Sequence, residues 1–79
     1  MLNDRRETVR QVVNRPAKLQ ESPAVRECTI RDISSTGVKV LVPGGLASDQ
    51  FTLFDGEAVE HRCLVIWRIG ELVGARFEN

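Results

Sequence analysis

Seventy-nine residues, 42% of them hydrophobic, 28% charged and balanced to a formal net charge of zero, make one small domain that buries roughly 60% of its extended surface. That length excludes two separate cores, and the neutrality excludes a protein that grips long nucleic acid mainly by neutralising phosphates. No stretch approaches the ~20 apolar residues of a membrane span, and Met1-Leu2-Asn3-Asp4 is too polar to open a secretory signal, so a cytoplasmic protein without membrane insertion is expected. The charge is nevertheless uneven. Residues 1–40 carry eight Lys/Arg against five Asp/Glu, and residues 41–79 three against six. A local basic region of this size suits a small anion better than a polymer.

Residues 1–11 are polar and charged, with Leu2 and Val9 as the large apolar exceptions after Met1, and read as a flexible arm bearing Arg5, Arg6 and Arg10. Residues 12–79 read as a barrel of six strands. From Val12 to Leu19 the pattern alternates with Val13, Ala17 and Leu19 on one side, and Pro16 marks an edge or a bulge. After the turn Glu21-Ser22-Pro23, Cys28 and Ile30 alternate with Glu27, Thr29 and Arg31, as a half-buried strand requires. The same phase, continued, places Asp32 inward at the barrel rim.

Ser34-Ser35-Thr36-Gly37 interrupts this strand, and Val38, Val40 and Val42 then share one face of the next. So short a connection implies antiparallel neighbours. Pro43-Gly44-Gly45 ends the third strand, and Phe51-Thr52-Leu53-Phe54 forms the fourth. Asp55-Gly56 predicts a type I′ hairpin turn, whose two central residues need positive φ. Ala58 to Ile69 is the longest strand candidate, with Cys63, Val65 and Trp67 on one face and Leu64 and Ile66 on the other; Gly70-Glu71 predicts a type II′ turn, and Val73, Ala75 and Phe77 return inward. The expected fold is all-β, a six-stranded antiparallel barrel, which also hides strand edges. Cys28 and Cys63 lie in apolar alternation without metal-ligand spacing and read as buried, reduced thiols.

Two motifs stand out in this frame. Asp32-Ile33-Ser34-Ser35-Thr36-Gly37 is an Asp-x-Ser-x-x-Gly turn, and Arg6 and Arg10 upstream make an Arg-x-x-x-Arg pair. Both, in this order, together with Cys28-Thr29-Ile30-Arg31, Cys63-Leu64-Val65-Ile66-Trp67-Arg68 and Val73-Gly74-Ala75-Arg76-Phe77, resemble the PilZ family of cyclic di-GMP receptors over nearly the whole chain. The resemblance implies a six-stranded barrel, usually followed by a C-terminal helix. No such helix precedes Asn79, so Leu64 and Ile66 are expected to lack intramolecular cover, and a homodimer is a possible consequence. It also implies that Arg6, Arg10, Asp32, Ser34 and Gly37 contact the ligand, with Arg5 assisting. One ligand or a stacked pair per chain stays open, because the choice depends on the residue before the arginine motif, here Arg5. A bacterial role in motility, adhesion or biofilm control through an unidentified downstream protein follows from the same resemblance.

The chemistry of these residues suits such a ligand. A cyclic dinucleotide offers two phosphodiester anions, guanine O6 and N7 acceptors, and N1–H and N2–H donors. Arginine can fork onto phosphate, pair with the O6/N7 edge or lie flat on a purine. A carboxylate such as Asp32 accepts from the donor edge, Ser34 adds a hydroxyl, and Gly37 gives the turn positive φ or lets the ligand approach the backbone. The plainer alternatives are a solvated arginine tail and an Asp/Ser-capped turn. Trp67, in phase with Cys63 and Val65, is read as core rather than as a stacking platform; Arg68 and Arg76 fall on the outer phase, and His61 on the surface. One histidine and two core-phase cysteines supply no general base, metal cluster or activated nucleophile, so neither an enzyme nor a cofactor is expected. Two rival readings are a PilZ-like adaptor that binds only proteins and a small RNA-binding barrel, the latter disfavoured by the lack of exposed aromatics.

Overall fold

A computed structural model describes residues 11–56 and 59–78. Six strands form within them: β1 Gln11–Glu21, β2 Ala24–Ile33, β3 Gly37–Leu41, β4 Gln50–Phe54, β5 Glu60–Ile69 and β6 Leu72–Phe77. All neighbours are antiparallel and the sheet closes in the order β1-β2-β3-β6-β5-β4. The six-stranded all-β barrel expected from the alternation is therefore the fold. The strand order was not legible: β3 pairs with β6, so the chain leaves β3, crosses one end of the barrel and enters β4 on the far side.

Period-2 alternation builds the core. Leu19, Ile30, Val40, Val42, Leu53 and Val73 are fully buried, with Cys28, Val38, Phe51, Cys63 and Ala75 beside them, each large aliphatic contributing roughly 1.5–3 kcal/mol by leaving water. Burial pushes the Cys28 thiol up to about 11 and the Cys63 thiol up to about 12, so both are reduced, inert packing groups, as expected.

The turns follow their residues. Ser22-Pro23 joins Glu21 to Ala24, and Gly70-Glu71 joins Ile69 to Leu72 with Gly70 at φ 59, the geometry of a type II′ turn. Asp55-Gly56 departs from expectation. Only Gly56 has positive φ, at 85; Asp55 N donates to Val59 O at 2.9 Å, and β5 starts at Glu60 rather than Ala58. The Asp55 side chain is engaged with β1, beside the seam of β1 and β4, which is three residue pairs long from Lys18 to Gln20. Asp55 closes it from the side, accepting two hydrogen bonds from Arg15 at 3.0 and 2.7 Å.

At the opposite end, Glu21 fastens the long β3–β4 connection. One carboxylate oxygen accepts from Arg26 at 3.0 Å, and the other from the amides of Ala47 and Ser48 at 3.1 and 2.9 Å. Arg26 also donates to Pro43 O, Glu71 accepts from Gly44 N at 3.0 Å, and Arg68 donates to Ser48 O at 2.8 Å. Hydrogen bonds from Ser48, joined by Arg26 and the Ala47 amide, hold the Glu21 carboxyl below its ordinary 4.5. A depressed carboxyl stabilises the fold fully above its unfolded value and loses that stabilisation as pH falls through the lower folded value. Glu21→Gln is expected to lower Tm by about 4–8 °C near pH 7, the equivalent of roughly 1 kcal/mol in a chain this size. Thermal melts should show native and variant converging in acid; a gap independent of pH would contradict the latch.

Candidate functional site

The Asp-x-Ser-x-x-Gly turn is held from within. Ser34 N donates to Gly37 O at 2.9 Å, and the Ser34 hydroxyl accepts from the amides of Thr36 and Gly37, both at 3.3 Å. That hydroxyl lies 3.3 Å from Thr36 Oγ1 and donates to Gly37 O at 3.4 Å. Serine thus caps its own turn, the short-range bonding that favours this residue there. Phe77 N donates to Thr36 O at 2.8 Å and ties the turn to β6. Gly37 is required for a reason the sequence reading did not name. Its φ is not positive; instead a Cβ would stand 2.5 Å from Ala75 O, so only glycine lets β3 and β6 pair here.

Asp32 is where the structure corrects the continued strand phase. In the β2–β3 register Ile30 faces Val40 but Asp32 faces Lys39, so Arg31 is an extra residue. Such a bulge turns the residue after it to the other face of the sheet. Lys39 sits between the core residues Val38 and Val40 and points outward, and Asp32 joins it there, its Oδ2 3.2 Å from Lys39 Nζ. The carboxylate is still only 8% exposed, against 37% for the lysine.

Trp67 is corrected in the same way. Val65 faces Ala75 but Trp67 faces Gly74, making Ile66 the extra residue of β5. Trp67 leaves the Cys63 and Val65 phase and lies on the outer face, 39% exposed. Its indole occupies the space above Gly74, where a Cβ would overlap Cε2 and Nε1 and come within 2.6 Å of Cζ2. Because Lys39 pairs with Gly74 across β3 and β6, the two bulges flank one rung of the barrel. A row results, Asp32–Lys39–Gly74–Trp67, running across four strands.

Two outer concavities meet at this row. One, of about 230 Å³, is lined by Asp32, Lys39, Ile66, Trp67 and Gly74 among others; the second, of about 160 Å³, by Val12, Arg31, Asp32, Lys39 and Leu72. Each is smaller than the roughly 300 Å³ at which small-molecule pockets begin, and because both are lined by Asp32 and Lys39 they adjoin as one shallow groove. Arg76 projects from the same side, paired with Gly37. Arg68 does not join it, being bonded to Ser48 O and Asp49 at the other end.

Arg5, Arg6 and Arg10 lie outside the described residues. The point from which they are reached is described: Gln11 pairs with Ile33 and Val12 with Asp32. A larger concavity, about 560 Å³ at the barrel end, is lined by Ser34, Ser35, Glu60, His61, Arg62, Phe77 and Glu78, with His61 stacked on Phe77 at 4.3 Å. Its two carboxylates outnumber its one arginine, which suits a dianion poorly. Among the described residues no group of three or more His, Cys, Asp or Glu is placed to hold a metal, and no helix is long and apolar enough to cross a membrane. The residues missed by sequence reasoning are Lys39 and Gly74. A signal for the second existed, since a lone glycine between strand residues Val73 and Ala75 marks a bulge or a close approach.

Comparison with protein-family models matches residues 4–79 to the PilZ domain. No curated protein matches the chain.

Two glycine substitutions test this geometry. Gly37→Ala wedges β3 from β6 against backbone and is expected to cost about 1–3 kcal/mol, read as a lowered denaturation midpoint. Gly74→Ala meets a side chain that can swing away, so the fold should survive while the indole is expelled. The chain has one tryptophan, and its emission should shift to the red; unchanged emission would contradict the packing of Trp67 on Gly74.

Proposed function

The chain belongs to the PilZ domain family, whose members are binding domains of the cyclic di-GMP type rather than enzymes, and from that premise we propose that it is a bacterial cyclic di-GMP receptor with its ligand in the groove between Asp32 and Trp67. The observation that carries this reading is the register of β1. Gln11 and Val12 pair with Ile33 and Asp32, so the segment that carries the arginines joins the barrel at the motif strand, and Arg6 is within roughly 18 Å of Gln11 even on an extended chain.

In this reading Arg6 and Arg10, assisted by Arg5, close over the phosphates and complete the wall that the shallow groove lacks. Asp32 accepts from guanine N1–H and N2–H, and the exposed face of Trp67 supports a base by stacking, an arrangement worth about 1–3 kcal/mol per base where it occurs. Ser34 and Gly37 hold the turn from which Asp32 projects. Ligand orders the arm over the outer sheet, and the new surface is what a downstream protein reads in the cytoplasm. Ile66 and Ile69, 61% and 73% exposed beside the groove, give that surface an apolar border. Pairing of two chains through it is the homodimer the reading includes.

Calorimetry tests the ligand. Arg6→Ala or Arg10→Ala is expected to weaken cyclic di-GMP binding about 10- to 100-fold, the loss of a charge-assisted hydrogen bond, with little change in stability. Cyclic di-AMP, lacking the N1–H and N2–H donors, should bind far more weakly, and Asp32→Ala should lose guanine affinity. Unchanged affinity in both arginine variants, or equal competition by cyclic di-AMP, would overturn the reading. Light scattering tests the dimer: Ile66→Glu should yield a folded monomer, and a native chain already monomeric at micromolar concentration would remove that part.

A further inference from the structure

We propose that Lys39 is a ligand-binding residue, the barrel's own phosphate cation, and that its ammonium passes from Asp32 to a ligand phosphate when the groove fills. This rests on the cyclic di-GMP reading above. Lys39 occupies the centre of the four-residue row, with Asp32 on one side and the Trp67-covered Gly74 on the other. It also lines both halves of the groove. A ligand lying from Asp32 to Trp67 must therefore pass over it.

The ion pair is unequal in a way that favours exchange. The Asp32 carboxylate is 8% exposed and the Lys39 side chain 37%, so the lysine can leave toward the groove while the carboxylate stays in place. Replacing a departing donor on a buried carboxylate is favourable. The guanine edge brings two, N1–H and N2–H, and a phosphodiester brings the anion that Lys39 then needs. The ligand's two kinds of group thus match the two halves of the pair. An ammonium on a flexible stem suits the move, as it binds phosphate as a point charge without fixed orientation. Before binding, the same lysine sets a positive charge beside Asp32, which lessens the repulsion of a dianion.

Titration calorimetry with cyclic di-GMP on the full chain tests this, using Lys39→Met, Lys39→Arg, Asp32→Asn and the Asp32→Asn/Lys39→Met double variant. Thermal melts check that each is folded. Lys39→Met is expected to lose about 10- to 100-fold in affinity, Lys39→Arg to stay close to native, and the native-to-Met gap to narrow as salt rises. In the Asp32→Asn background Lys39→Met should still weaken binding, because the phosphate contact does not run through Asp32. Native-like or tighter binding by Lys39→Met would overturn the proposal. A loss seen only when Asp32 is present would do so too, reducing Lys39 to a residue that positions the carboxylate. Failure of the native chain to bind cyclic di-GMP would instead overturn the parent reading, and the inference with it.

Discussion

A closed barrel assigns alternate side chains of every strand to its interior, and one extra residue in a strand reverses the assignment from that point on. Arg31 in β2 and Ile66 in β5 are such residues, and they lie opposite Lys39 and Gly74, which are themselves paired. Everything distinctive about the outer face depends on this coincidence. Without the bulge at Arg31 the Asp32 carboxylate would enter an apolar core, at a cost of several kcal/mol for an ion with no polar surroundings. Without the bulge at Ile66 the indole of Trp67 would compete for space with Cys63, Val65 and Val73, and the surface above Gly74 would be bare.

The two ends of the barrel are specialised by what ties them down. At the Ser22-Pro23 end, Glu21, Arg26, Arg68 and Glu71 bond to backbone groups of residues 43–48, so the long crossing to β4 is fastened by side chains from three strands. The motif turn at the other end uses its own serine and the Thr36–Phe77 bond. A self-capped turn beside the Asp32–Lys39 ion pair is the arrangement on which the proposed site draws. The bulge at Arg31 sets the face on which Asp32 lies, and Lys39 is the cation beside it.

Much of this was legible in the residues. Alternation in Cys28-Ile30, Val38-Val40-Val42 and Val73-Ala75 located strands and core, and the Asp-Ser-Gly motif marked the turn that follows β2. What failed was phase, at two places. A bulge adds one residue of any type, and neither Arg31 nor Ile66 differs chemically from an ordinary strand residue, so counting by twos ran through both and put Asp32 and Trp67 inside. Strand order was not legible for a related reason, since pairing of β3 with β6 is set by barrel closure across some 35 residues rather than by local chemistry. Lys39 was passed over because an outward lysine between two core valines is what any half-buried strand shows; its significance comes only from the register that faces it to Asp32.

The central claim is that the bulge-built outer face, and not the larger concavity at the barrel end, receives cyclic di-GMP. Backbone amide and indole NMR shifts during titration of the isotope-labelled chain test it most directly. The expected result is a cluster of shifts at residues 31–39, 66–67 and 74–76, including the Trp67 indole N–H, with Glu21, Arg26 and Ser48 unmoved. Shifts centred on Glu60, His61, Arg62 and Glu78 with a stationary Trp67 indole would contradict it.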